Sequence, residues 1–176
     1  MHEQAGTARP GGAGDRIILA PFDLDAEGAV LSDLLLNPAD LDRVAGWLLP
    51  EYFYSDANRR VLEALLGLRS AQRAIDVVTV ATWLKDRRWL DQVGGTPYLF
   101  LLTDATPAVA HVEEHALIVQ EKWRQRHAHH LFEQLAVEAR QPMPLEAVGP
   151  FLERAEREVG RLVGLAHVLA EKKAAE

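Results

Sequence analysis

A chain of 176 residues that is 48% hydrophobic and 26% charged can bury one sizeable core and has the charge density of an ordinary soluble globular domain, so one domain with an appendage is expected. A formal charge of -7 and a pI near 5.5 argue against a surface that grips a nucleic-acid backbone through Lys and Arg, and predict weak or no direct DNA binding and protein partners instead. The absence of cysteine rules out disulfides and thiolate zinc sites; with no apolar run of membrane-spanning length and no signal peptide in Met1–Asp15, a cytoplasmic chain without a membrane partner is expected.

Residues 1–20 hold Gly6, Pro10, Gly11, Gly12 and Gly14 with few large apolar groups and are expected to be a mobile tail, with Ile17, Ile18 and Leu19 able to dock locally. Pro21-Phe22-Asp23 opens a helix with Leu24, Val30, Leu31, Leu34 and Leu35 inward, closed by Asn37-Pro38. A second helix is predicted from about Ala39 to just before Pro50, burying Leu41, Val44, Ala45 and Leu48. Glu51-Tyr52-Phe53-Tyr54 forms an aromatic knot, and because no Lys or Arg interleaves it, core packing is expected rather than a base-stacking platform. The next helix starts at Ser55 or Asp56 and carries Val61, Leu62, Leu65 and Leu68 on its inner face. Asp76 serves as the N-cap of a helix with Val77, Val80, Ala81 and Leu84 on one face, ended by the charged stretch Lys85–Arg88. Gly94-Gly95 supplies a turn at positive φ, after which Thr96-Pro97 starts a short helix burying Leu99, Phe100 and Leu102.

Pro107 is read as the start of the longest helix, running to about Arg140, with Val112, Ala116, Val119 and Trp123 in steps of four, three and four and the stripe continued by Leu131 and Leu135. Gln141-Pro142-Met143-Pro144 must break it. Leu145, Val148, Leu152, Ala155, Val159, Leu162, Ala166 and Leu169 then alternate steps of three and four, the seam of a helix packed lengthwise on another. Pro150 is placed in the first turn of its continuous part, and Gly160 and Gly164 each weaken it by roughly 1 kcal/mol relative to Ala. The expectation is an all-α fold: a tail over 1–20, a compact helical head over 21–106, a long antiparallel helical hairpin over 107–163, and the start of a linker helix or a tail over 164–176. The seam holds more apolar surface than one outgoing helix covers, so a protein interface is expected at Val119, Trp123, Leu152, Val159 and Leu162, with a two-fold pairing of hairpins the simplest closed arrangement.

Little of the chain suggests chemistry. His111-Val112-Glu113-Glu114-His115 spells H-x-x-E-H, which puts two imidazoles one helical turn apart beside a carboxylate, as in some zinc peptidases. No further ligand is apparent downstream, so it is read as a helix face, with no metal site and no catalytic residue. His127, His129 and His130 are read as unable to share one metal, since 127 and 130 lie on one face and 129 points elsewhere; only an adventitious surface site is expected. There is no G-x-x-x-x-G-K-[ST] loop to cradle phosphates. Trp123-Arg124-Gln125-Arg126-His127, the only basic and aromatic cluster, is read as a solvated face, with an acidic protein partner as the alternative.

Residues 76–99 resemble the amino-terminal domain of replicative DNA helicases of the DnaB family, whose pattern is close to D-x-V-T-V-x-x-x-L followed by L-D-x-V-G-G-x-x-Y-L. Asp76, Val78, Thr79, Val80, Leu84, Leu90, Asp91, Val93, Gly94, Gly95, Tyr98 and Leu99 fall on it in order. The resemblance extends upstream through Pro21, Ala26, Glu27, Ala29, Val30, Leu31, Leu34, Leu35 and Pro38, with Asp25 and Ser32 as departures, and through Phe53, Tyr54 and Val61. Downstream it includes Pro107, Ile118 and Val119, although His111 and His115 replace its Asn and Tyr, and Ala155, Glu156 and Val159. The family often has Gly where Arg88 stands, so the turn after that helix is expected to shift by a residue; it has His where Asn58 stands, which is read as the loss of a structural contact.

The resemblance implies a non-catalytic scaffold. It implies self-association as a dimer or a hexameric collar, docking of primase or a helicase loader, and no cofactor in this chain, ATP and Mg belonging to a motor domain that is not part of the sequence. The chain is accordingly expected not to be an enzyme by itself. The alternatives are a stand-alone adaptor that recruits or regulates a helicase, or an adaptor unrelated to replication.

Overall fold

The computed structural model describes residues 20–104 and 111–174, with side chains to residue 163, and the described part is built from helices alone. The expected tail up to residue 19 and the start of the long helix at Pro107 lie outside the described residues.

Helix α1 (Leu24–Leu36) opens on Asp23, whose carboxylate accepts from the Ala26 N–H at 2.9 Å. It is the centre of the head: Val30, Leu31 and Leu34 have no exposed surface, while Leu24 on the first turn is exposed. The predicted second helix is reduced to a 3-10 turn at Pro38–Asp40 and a single α-turn, α2 (Leu41–Val44). Pro50 holds Leu49 extended, at φ -101° and ψ 145°, so the chain leaves the helical region before a longer helix can form. Leu41, Val44 and Leu48 still reach the core.

Helix α3 (Asp56–Ser70) is capped by Ser55, which accepts from the Asn58 N–H at 3.3 Å. Helix α4 (Val77–Asp86) begins with the predicted cap elaborated into a capping box: Thr79 N–H donates to Asp76 at 2.8 Å and Asp76 N–H to the Thr79 hydroxyl at 2.9 Å. Gly67 on α3 lets α4 come close, because a Cβ there would meet the Trp83 indole at 2.8 Å. Both helices end in the same way without glycine. Gln72 and Arg88 take φ 52° and 60°, and the paired bonds Arg73 N–H to Leu68 O and Trp89 N–H to Leu84 O, 3.0 and 2.9 Å, close two Schellman motifs. The expected shift of the turn after α4 therefore does not occur; Arg88 itself adopts the left-handed conformation. Gly94 and Gly95 are at positive φ as predicted, 95° and 72°, and lead into α5 (Gly95–Asp104), which buries Leu99 and Leu102 but leaves Phe100 exposed.

Helix α6 (Val112–Ala139) rises for 28 residues, about 42 Å at 1.5 Å per residue, and α7 (Leu145–Ala174) returns beside it. Val112, Ala116 and Val119 are buried in the same core as α1. The first half of α6 thus belongs to the head, and packing changes from head to hairpin well beyond the boundary expected at residue 106. Pro150 lies inside α7, past its first turn, where it leaves the Glu146 carbonyl without its usual partner.

Candidate protein interface

Arg126 fixes how the hairpin leaves the head. Its guanidinium donates to the carbonyls of Pro21 at 2.8 Å and Tyr52 at 2.7 Å, tying α6 to the segment before α1 and to the turn before α3. It is 8% exposed, and burial lowers its pKa from the usual guanidinium value while the Glu27 charge opposes that shift. Trp123, one turn earlier, is half-buried, with its ring 4.5 Å from Tyr52 and stacked at 5.2 Å on His127. The solvated face expected over 123–127 is therefore an anchor: Arg126 is drawn inward onto two backbone carbonyls, each of which accepts a charge-assisted bond from it.

Glu27 organises the other side of this joint. Its carboxylate is 1% exposed and accepts from the N–H groups of Tyr54 and Ser55, at 2.6 and 3.3 Å, where its charge also meets the positive end of α3. Asn58 donates to the same carboxylate at 2.9 Å and accepts from the Tyr98 hydroxyl, which links α1, α3 and α5. Asn58 consequently makes a structural contact rather than losing one. Burial raises the Tyr98 pKa, and the Glu27 charge adds to it. Within the aromatic knot Tyr52 and Phe53 enter the core, whereas Tyr54 stays outside and stacks on Phe22 at 4.6 Å. Arg43 forms a two-pronged pair with Glu113, at 2.9 and 3.1 Å, that binds α2 to α6.

Beyond Arg126 the hairpin is lightly packed. Ala128 and Phe132 of α6 face Val159, Leu162 and Val163 of α7 across a groove of about 330 Å³, and Arg154 pairs with Glu138 across the two helices. The exposed apolar side chains of this region are Phe132 and Val137 on α6 and Leu145, Val148, Leu152 and Val163 on α7, with Leu145 at 89% and Leu152 at 58% exposure. Most of the early α7 seam therefore faces solvent instead of α6.

The five interface residues expected from the sequence are separated by the structure. Val119 is 1% exposed and packs in the head core beside α1, so it offers no surface to a partner, and Trp123 is committed to the Arg126 joint. Val159 and Leu162 line the groove between α6 and α7, and Leu152 stands on the open face. Exposed Phe132, Val137 and Val163 lie off the regular three-four seam, so no periodicity marks them. The H-x-x-E-H pair is likewise taken apart: His115 Nδ1 lies 3.4 Å from Asp33 on α1, whereas exposed His111 faces Glu114 at 3.8 Å. Among the described residues, the His and acidic side chains whose ligating atoms do gather are His129, His130 and Glu133.

The model of the DnaB-like helicase N-terminal domain matches residues 19–121. This chain belongs to that family. It is 38% identical over 104 residues to the replicative DNA helicase DnaB of Geobacillus stearothermophilus, a match that covers 59% of this chain and 23% of the helicase. The chain thus spans about a quarter or less of the length of the curated helicases it matches. The crystal structure of the N-terminal domain of DnaB helicase from Mycobacterium tuberculosis superposes with a TM-score of 0.73 at 31% identity, covering 81% of this chain and 99% of that one. A DnaB-like replicative helicase solved in a study of its interactions with primase has the same fold, with a TM-score of 0.62 at 23% identity over 77% of this chain and 31% of that one. The all-α head-and-hairpin fold and the family expected from residues 76–99 are those found.

Proposed function

We propose that this DnaB-type N-terminal domain is a non-catalytic scaffold of DNA replication that associates with itself through its hairpin, as a dimer or within a hexameric collar above a helicase motor. The observation that carries this is the apolar stripe of Leu145, Val148 and Leu152 along early α7, exposed beside Val137 of α6 in a part of the hairpin where no described side chain is buried. An apolar stripe open to solvent marks an interface, and two copies of one hairpin cover each other with the smallest closed symmetry. Primase or a helicase loader is the heterologous partner of the same region; the primase interactions described for the structurally similar DnaB-like helicase support this reading. The sequence carries no G-x-x-x-x-G-K-[ST] loop, and its charge of -7 suits weak or no direct contact with DNA. A cytoplasmic location belongs to the same reading; no described helix is long and apolar enough to cross a membrane.

The test is sedimentation of the wild-type chain beside Leu152→Asp and Val159→Asp. Leu152 is on the open face, so Leu152→Asp should dissociate the assembly with helix content unchanged. Val159 lines the groove, so Val159→Asp should open the hairpin itself, at a cost of several kcal/mol for a poorly solvated charge, and leave the head helical. A wild-type monomer at all accessible concentrations, together with failure to bind a primase carboxy-terminal domain, refutes the collar reading and leaves the fold untouched.

A further inference from the structure

Glu133 follows His129 by four residues and His130 by three, so one turn of α6 lays its carboxylate beside both imidazoles. Their ligating atoms all lie within 4.8 Å of one another, and His129 Nδ1 stands 3.4 Å from a carboxylate oxygen of Glu133. Two ligands on one tetrahedral ion, each bonded at about 2.0–2.2 Å, lie roughly 3.4 Å apart, so this pair already has coordination spacing. The His130 ring sits edge-on to His129 with centroids 6.0 Å apart, and rotation of its side chain between staggered torsions carries a ring nitrogen toward the other two. Helical spacing alone pairs His130 with His127 and sets His129 apart; the structure joins His129 and His130 through Glu133.

We propose that His129, His130 and Glu133 form a binding site for a divalent transition-metal ion, with zinc as the ion that fits. Two neutral imidazoles and one carboxylate suit borderline ions, whereas Mg2+ and Ca2+ take six or more oxygen ligands and find only one carboxylate here. Three protein ligands leave a fourth position, open to water or to a donor from a bound partner protein. The location gives the site a structural effect. Arg126 is the last buried side chain of α6 and His130 still lines a pocket with Glu51 and Tyr54, so 129–133 is the turn at which that helix parts from the head. An ion bridging i, i+1 and i+4 positions there staples the turn from which the hairpin projects.

The experiment uses the full chain stripped by chelator and titrated with zinc chloride in a calorimeter, with bound metal counted by mass spectrometry after dialysis. The wild type should take up one equivalent saturably, and Mg2+ in excess should not displace it. His129→Ala, His130→Ala and Glu133→Gln should each weaken uptake roughly tenfold or more, while the His111→Ala/His115→Ala double variant should bind as the wild type does. All three ligands are reachable from solvent, so circular dichroism of the variants should match the wild type. As a second readout, zinc should raise the melting temperature of the wild type and not that of Glu133→Gln. Equal uptake by the wild type and a variant lacking all three side chains, or no saturable uptake by the wild type, overturns the proposal.

Discussion

Replacing Arg126 with Met decides between a solvated cation and a buried joint, because Met keeps the length and apolar stem of the side chain and removes every donor. Two carbonyls, of Pro21 and Tyr52, then lose charge-assisted partners at 2.8 and 2.7 Å. A hydrogen bond to a charged group contributes about 1.5–3 kcal/mol, and the Tyr52 bond is buried while the Pro21 bond is partly wetted, so the loss should be about 3–4 kcal/mol. Lys in the same place reaches one carbonyl with a single ammonium and should recover about half of that. Urea unfolding followed by circular dichroism reads the difference directly, since a slope of about 1–3 kcal/mol/M turns such a loss into a midpoint shift of 1 M or more. A loss below about 1 kcal/mol for Met, or equal losses for Met and Lys, would mean that the guanidinium is effectively in water and that α6 is positioned by its apolar face alone.

The half-buried Tyr98 phenol makes stability depend on high pH: its folded pKa is raised above the ordinary value of 10.0, so the folded state holds the proton longer than the unfolded chain does. Stability should therefore fall as pH rises through and above that value, and Tyr98→Phe should flatten the slope when unfolding midpoints are measured from pH 9 to 11. Arg88→Gly should stabilise the chain by about 0.5–1 kcal/mol, because relief of left-handed strain exceeds the added entropy of the unfolded glycine, and an unchanged or lower midpoint would count against the Schellman turn. Gly67→Ala should destabilise by about 1 kcal/mol net, the helix-propensity gain being outweighed by the collision with Trp83, and a rise in melting temperature would show that the indole moves aside freely.

How far the sequence discloses this molecule depends on which kind of interaction a residue makes. Caps and turns are local, so Asp76, Ser55 and the Gly94-Gly95 pair could be read directly, as could the inner faces carrying Leu31, Leu34, Leu62 and Leu65. Periodicity reports that a stripe is covered without reporting by what. Val119 and Leu131 follow the same spacing on one helix, yet Val119 lies against α1 and Leu131 is half-exposed beyond the head. The seam of α7 is regular, but α6 covers only its later part, which is why Leu152 is open and Val159 is not. Long-range polar contacts left no trace at all. Arg126 reaches carbonyls more than seventy residues away, and Glu27 meets Asn58 across 31 positions; neither separation has a sequence period to betray it.

The two halves of α6 explain why the anchor and the open stripe belong to one device. No Gly or Pro interrupts the helix between Val112 and Ala139, so no kink of the usual origin separates its buried first half from its projecting second half. The first half is held by apolar burial at Val112, Ala116 and Val119, by the Arg43 pair at Glu113 and by the Arg126 bonds at its far end. Those contacts grip the helix at both ends of a span of four turns, which fixes its direction as well as its position. The hairpin therefore leaves the head along a set axis, and its exposed Phe132, Leu145 and Leu152 are presented at a set distance from the core. Such rigidity suits the self-association proposed above, because less orientational freedom remains to be lost when two copies meet in one register.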